Sequence, residues 1–204
     1  SCMKKDSKNK VIPFFRGQSA ANTMKIAETF EFRRGGKLKD VSIAYETWGE
    51  LDASKSNVVV IFTGLSASSH VTSSSFDPTA GWWESMVGPG KSIDSDNHFI
   101  VCINTLGSCF GSTSPVSVNA NTEQPYRLSF PELTVEDMAK ASHILLEKLG
   151  ISNIKILVGP SLGGMQALAF SIMFNQSVKN TILISTATQA TPYAIAIRSL
   201  QREV

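Results

Sequence analysis

Gly159-Pro160-Ser161-Leu162-Gly163-Gly164 is the segment that most restricts how this chain can fold. It separates a short apolar run, Ile154 to Val158, from a longer apolar stretch, Ser161 to Phe174, of helical length. A serine with glycine two positions before and after it fits a sharp turn from strand to helix. The glycines remove the Cβ atoms that would clash with the neighbouring strand and helix, and the hydroxyl projects at the helix N-terminus. Free N–H groups and the helix dipole stabilise developing negative charge there. Ser161 is therefore the candidate nucleophile. The competing reading, a plain glycine turn that contains a serine, is disfavoured by the strand and helix on either side.

The same alternation extends along the chain. Phe30-Glu31-Phe32 and Val41 to Thr47, around Arg33-Arg34-Gly35-Gly36, predict an antiparallel hairpin at a sheet edge. Asn57 to Thr63, His98 to Asn104, Ile154 to Val158 and Thr181 to Ser185 are short apolar runs suited to strands covered on both faces. Thr134 to Leu149 opens with a capping box, Thr134 and Asp137, and stops at Gly150; Ser161 to Phe174 is apolar all round, and Met165, Leu168, Ala169, Ile172 and Met173 point to deep burial. Strand, helix, strand, helix, strand predicts an α/β fold: a mostly parallel sheet with helices on both faces.

Composition removes several classes of function. Of 204 residues 42% are hydrophobic and 18% charged, enough for a sizeable core, and 19 Lys and Arg against 17 Asp and Glu leave a net charge of only +2. Nucleic acid is a poor partner for so balanced a surface. No apolar run approaches the ~20 residues needed to span a bilayer. Cys2, Cys102 and Cys109 have neither metal-ligand nor disulfide-scaffold spacing, so no metal is expected and a reducing, cytoplasmic location fits. Cys109 lies in a small-residue loop with no evident base. We expect a flexible leader over 1–24, a core over 25–188 and the start of a helical lid over 189–204.

A serine nucleophile of this kind needs an oxyanion hole. One donor is the backbone N–H of the next residue, Leu162; the other comes from the loop after an earlier strand, here Thr63-Gly64-Leu65-Ser66-Ala67, with Leu65 as the choice. A base and its orienting acid should follow the serine, but His70, His98 and His143 all precede Ser161, and Glu203 is the only acidic residue after it. Packing is the plain role for His98 and His143, while His70 lies in a polar loop where a substrate role is a further option. Trp82 and Trp83 beside Gly81 read as packing aromatics. Asn104 to Thr113, rich in small and hydroxyl residues, reads either as a loop approaching a ligand or as a tight connection. The two arginines of Ala194 to Arg202 either are solvated or face an anion.

Taken in order, Tyr45-Glu46-Thr47-Trp48-Gly49, Gly64-Leu65-Ser66, Ser69-His70, Gly81-Trp82-Trp83, Gly88-Pro89-Gly90-Lys91, Asp94-Ser95-Asp96, Gly107 to Ser112, Gly159 to Gln166 and Gln201-Arg202 resemble the homoserine O-acetyltransferase family of the α/β-hydrolase superfamily. The resemblance covers nearly all of residues 25–204. It implies an α/β-hydrolase fold truncated before the C-terminal part of its sheet, and ping-pong acyl transfer from acyl-CoA (acetyl-CoA or succinyl-CoA as co-substrate, no bound cofactor) through an acyl-serine on Ser161. It further implies backbone donors at Leu65 and Leu162, a triad acid and histidine beyond Val204, a homodimer, a place in methionine biosynthesis, and an inactive fragment when this stretch stands alone. Homoserine and acetyl are the leading acceptor and donor. Segments such as Asn104 to Phe110, Arg127 to Leu133 and Ile197 to Arg202 look closer to a branch with succinyl-transferring and serine-acylating members. Arg127 or Arg198 would then meet the distal carboxylate of a succinyl group. A serine esterase and a non-catalytic domain of the same fold are the alternatives.

Overall fold

The computed structural model describes residues 21–184. Residues 1–20 of the expected leader and all of the expected lid segment, 189–204, lie outside that range, as do Arg198 and Glu203. Six strands form the main sheet: β1 (Asn22–Glu31), β2 (Lys37–Trp48), β3 (Val58–Phe62), β4 (Phe99–Ile103), β5 (Ile156–Pro160) and β6 (Thr181–Ile184), in the order β1-β2-β4-β3-β5-β6. The edge hairpin is present and longer than its apolar residues suggested, running from Asn22↔Tyr45 to Glu31↔Lys37 with an irregularity between Lys25 and Ala27. Exposed Glu28 and Thr29, next to that irregularity, interrupt its alternation, which hides the strand from a hydrophobic-pattern search. β2 meets β4 antiparallel, and β4, β3, β5 and β6 run parallel.

β3 and β4 are fully buried along their length, as their unbroken apolar runs require. One face of the sheet packs Val58, Val60, Phe62, Phe99, Val101 and Ile103 against α1 (Val135–Lys148) and α2 (Leu162–Met173). The opposite face, with Val59, Ile61, Ile100, Cys102 and Val158, is covered by Val71, Trp83, Met86 and Val87 from the long β3–β4 connection. The expected helices thus appear on one face; on the other, the cover among the described residues is irregular chain. Trp82 and Trp83 stack at 5.6 Å, and Trp82 Nε1 donates to Ser68 O, so these aromatics knit the connection together.

α1 begins with the capping box: Thr134 Oγ1 accepts from Asp137 N–H and Asp137 Oδ2 accepts from Thr134 N–H. Asp137 Oδ1 also accepts the N–H of Arg33, tying the hairpin turn to the helix. α2 corrects one expectation. Ile172 is 70% exposed, Met173 is also exposed, and Met165, Leu168 and Ala169 are only half-buried; the buried face is Gly163, Gly164, Gln166, Ala167 and Phe170. A helix apolar all round carries no amphipathic signal to name its inner face. Small residues that permit close approach to the sheet choose it instead.

Phe170 has no exposed surface and meets Phe62 edge-on at 5.5 Å and Phe174 at 4.9 Å. Phe170→Ala should cost about 3–5 kcal/mol through lost contact and a residual cavity, measured as a shifted urea midpoint of the full-length protein. A loss under about 1 kcal/mol would show that the α2–β3 contact is not a packed core.

Candidate active site

Three parallel strands that are neighbours in the sheet, β4, β3 and β5, end on the same edge, where ligands of open α/β sheets bind. Their exits carry Asn104, Thr63 and Ser161. At β5 the chain turns directly into α2 with Ser161 at φ 54°, ψ −125°. A non-glycine residue rarely holds that backbone, and the surroundings fix it. Ser161 N–H donates to Ile184 O at 2.8 Å, and Gly164 N–H donates to Ser161 O at 2.9 Å.

Each glycine of the motif has a definite reason. A Cβ on Gly159 would lie 2.1 Å from Gly163 O, and one on Gly163 would lie 2.4 Å from Phe62 O, at the end of β3. A Cβ on Gly164 would lie 2.9 Å from Gly159 O. The turn therefore admits no side chain at these positions, while Ser161 itself is exposed. Leu162 is the first residue of α2, so its N–H lacks an intrahelical partner. A Cβ placed on Gly64 would sit 3.8 Å from Leu162 Cβ, which sets the β3 exit loop against the start of the helix. Leu65 is 43% exposed, and among the described residues nothing accepts from its N–H. Two amides without an acceptor among the described residues thus lie on adjoining segments, one of them directly after the exposed Ser161.

Elbow and loop are joined below the surface. Gln166, fully buried on α2, donates to Ser142 Oγ at 2.8 Å and Met138 O at 3.3 Å, and its Oε1 lies 3.0 Å from Thr105 Oγ1. The Thr105 hydroxyl also reaches Thr63 O at 2.7 Å, and Thr105 N–H donates to Thr63 Oγ1. Residue-type patterns alone did not single out this network: its only signal is a lone glutamine in an apolar helix, which must find partners when buried.

The histidines have partners other than Ser161. His143 stacks on Phe174 at 3.8 Å between α1 and α2. His98 precedes β4, at the far end of the sheet; its Nδ1 faces Asp94 O and its Nε2 faces Lys155 Nζ. His70 Nδ1 contacts Glu46 Oε2 at 2.9 Å, with Asp77 Oδ2 at 3.7 Å, and its Nε2 contacts Thr79 O at 2.8 Å. The Thr79 carbonyl can only accept, so Nε2 carries a proton, and a second proton is shared between Nδ1 and the Glu46 carboxylate. Burial opposes a charged ring, but the Thr79 carbonyl and the Glu46 and Asp77 carboxylates outweigh it and raise the His70 pKa above the ordinary histidine value. Burial raises the Glu46 pKa, with His70 working against it. Glu46, His70 and Asp77 also form a group of potential metal ligands among the described residues, their ligand atoms within 4.8 Å of one another. The Glu46–His70 pair clasps the β3–β4 connection to β2. Glu46 could have flagged it, as a carboxylate in the otherwise buried stretch Tyr45 to Trp48.

Cys102 is buried in β4, where desolvation pushes its thiol pKa well up, and Cys109 is exposed with no base bonded to it among the described residues. Arg127, exposed on a single 3-10 turn, donates its N–H to Pro115 O. Among the described residues no helix is long and apolar enough to cross a membrane.

With the strand order, the strained serine and the neighbouring free amides in place, the class of fold is defined. A family model described as alpha/beta hydrolase fold matches residues 57–203, and the chain belongs to that family. A serine O-succinyltransferase from Litchfieldella anticariensis is 54% identical over 170 residues, covering 83% of this chain and 46% of the relative. An L-serine/homoserine O-acetyltransferase from Streptomyces lavendulae is 48% identical over 184 residues, covering 90% and 49%. The crystal structure of esterase E22 superposes with a TM-score of 0.77 at 32% identity, over 90% of this chain and 52% of that one. The chain spans about half the length of the curated relatives it matches.

The His70 clasp makes stability depend on pH. A raised histidine pKa stabilises the fold fully below the unfolded value, about 6.5, and the contribution is lost as the pH rises through the folded value. His70→Gln should therefore lower the thermal midpoint of the full-length protein clearly at about pH 6 and much less at about pH 9. Equal losses at both would mean that the ring is neutral in the fold.

Proposed function

We propose that the protein to which this chain belongs is an acyl-CoA-dependent O-acyltransferase acting on the side-chain hydroxyl of a small amino acid, with Ser161 as nucleophile and the Leu65 and Leu162 N–H groups as the oxyanion hole. The observation that carries the reading is the strained, exposed Ser161 between glycines that cannot bear a Cβ, set beside a loop with an unbonded amide. Ser161 Oγ attacks the thioester carbonyl, its proton passes to a base, and the two amides hold the negative oxygen of the tetrahedral intermediate. The C–S bond breaks and CoA leaves as the thiol. The acceptor hydroxyl then attacks the acyl-serine through a second such intermediate, giving the O-acyl amino acid and free Ser161. The base and its orienting acid are expected beyond Val204, as the resemblance implies. Among the described residues the histidine rings have other partners.

The names of the relatives favour a succinyl donor and serine as acceptor over the expected acetyl and homoserine; the Streptomyces relative, named for acetyl transfer to serine or homoserine, keeps the expected pair as the second reading. Arg127 or Arg198 is the cation we assign to the far carboxylate of a succinyl group. A homodimer and a cytoplasmic location belong to the same proposal. The likeness to esterase E22 favours one further reading, transfer of the acyl group to water.

Brief mixing of the full-length protein with succinyl-CoA or acetyl-CoA, followed by intact mass, tests the reading. A gain of one acyl group, absent in Ser161→Ala and released faster by serine or homoserine than by water, is expected, and the mass names the donor. Acyl release at one rate with and without amino acid would assign an esterase. No gain with either donor would contradict acyl-CoA chemistry at Ser161.

A further inference from the structure

The loop Asn104 to Thr113, which follows β4, lies against the loop that carries Leu65 and is buried there, while Cys109 to Gly111 are exposed. Asn104 and Thr105 have no exposed surface, and Ser108 and Ser112 are buried. Their side chains take the carbonyls of the Leu65 loop one by one. Thr105 Oγ1 reaches Thr63 O at 2.7 Å, Ser108 Oγ donates to Leu65 O at 2.9 Å, and Asn104 Nδ2 donates to Ala67 O at 3.0 Å. Every second carbonyl of residues 63–67 is thus held from below by a side chain of one neighbouring loop. The brace is anchored in turn. Asn104 Nδ2 also donates to Ser108 Oγ, Asn104 Oδ1 accepts from Ser112 N–H, and Ser112 Oγ donates to Asn104 O while accepting the N–H of Ala44 on β2. Gly107, at φ 92°, lets the loop fold back, and a Cβ there would lie 2.4 Å from the Leu133 side chain.

So many buried polar groups cost desolvation, and an apolar filling would close the loop at no such cost. What a fully satisfied polar network adds is a single geometry. The three bonds fix the peptide planes 63–64, 65–66 and 67–68; the plane that carries the Leu65 N–H, 64–65, lies between two fixed neighbours that limit its rotation, and that N–H has no acceptor among the described residues. An oxyanion donor acts only when it is preorganised, since a misplacement of about 1 Å can cost about a hundredfold in rate.

We propose that Ser108 and Asn104 are positioning residues of the oxyanion hole: by bonding the Leu65 and Ala67 carbonyls they fix the peptide units that follow Leu65 and so limit the rotation of the unit that carries its N–H. This rests on the reading of Ser161 and Leu65 given above. Neither side chain touches substrate; both act through the backbone of residues 63–67.

The test uses full-length protein and Ser108→Ala, Ser108→Cys and Ser108→Thr, with two readouts. The first is the single-turnover rate of acyl transfer from succinyl-CoA or acetyl-CoA to Ser161, followed by mass over a range of donor concentrations. The second is hydrogen exchange of residues 63–67 without ligand. Ser108→Ala should slow acylation about ten- to a hundredfold at saturating donor, with half-saturation within about twofold of wild type, and should speed exchange of residues 63–67 while leaving β3 protected. The threonine variant, which keeps the hydroxyl, should recover most of the rate, whereas the cysteine variant, close in size but a weak donor, should not. If Ser108→Ala fails to fold, the cysteine and threonine pair decides by the same criteria. Acylation and exchange at wild-type rates in Ser108→Ala or Ser108→Cys would overturn the proposal, as would a loss that threonine does not recover. If wild type takes no acyl group, the acyltransferase reading falls, and exchange alone decides whether Ser108 orders the loop: faster exchange supports the brace, unchanged exchange overturns it.

Discussion

The site depends on one close approach, that of the first turn of α2 to the last carbonyl of β3. Gly163 makes it possible, because any Cβ there would occupy the space of Phe62 O. Bringing helix and strand this near places Leu162 beside Gly64, and so puts the two candidate oxyanion amides on elements in direct contact. The same approach forces the sharp exit from β5 that leaves Ser161 in a left-handed backbone with its side chain exposed. Strain at the serine is stabilised by the packing around it: Phe170 against Phe62 and Phe174, and Ser161 N–H on Ile184 O, hold both ends of the turn.

Around this contact the protein spends polar residues where apolar ones would be more stable. Gln166, Thr105, Thr63, Asn104, Ser108 and Ser112 are all buried, and most of their hydrogen-bonding atoms meet partners on a different element. On the far side of the same loop the Glu46–His70 pair fixes the segment that leads into the Trp82–Trp83 stack. The Leu65 loop is thereby held at its start by Thr105, along its length by Ser108 and Asn104, and just past its end by His70. A loop built in this way has a defined shape before substrate arrives, which is what charge stabilisation in a transition state requires.

Much of this was legible in the sequence, for identifiable reasons. The parallel strands announce themselves because a strand covered on both faces must be apolar throughout, and the elbow because its geometry tolerates so few residues. Thr134 and Asp137 name the start of α1 by their chemistry. What the sequence hid was set by contacts distant along the chain. β1 has an irregularity after Lys25 and an exposed glutamate, Glu28, where its alternation calls for an apolar residue, so the strand pattern is broken along its middle. α2, apolar on every side, does not reveal which face it buries. The small-residue loop after β4 suggested a ligand or a tight connection, and only the fold shows its hydroxyls turned inward onto a neighbouring backbone. His70 is a loop residue, as its surroundings suggested, but its pairing with Glu46, 24 positions away on β2, left no local signal.

The central claim is that the turn after β5 makes Ser161 a nucleophile. Its most direct test is reaction of the full-length protein with a fluorophosphonate, which phosphonylates activated serines without needing the natural donor, followed by peptide mapping. One adduct is expected, on the peptide carrying Ser161, and none in the alanine variant. An unmodified Ser161, with the probe absent or attached elsewhere, would contradict it.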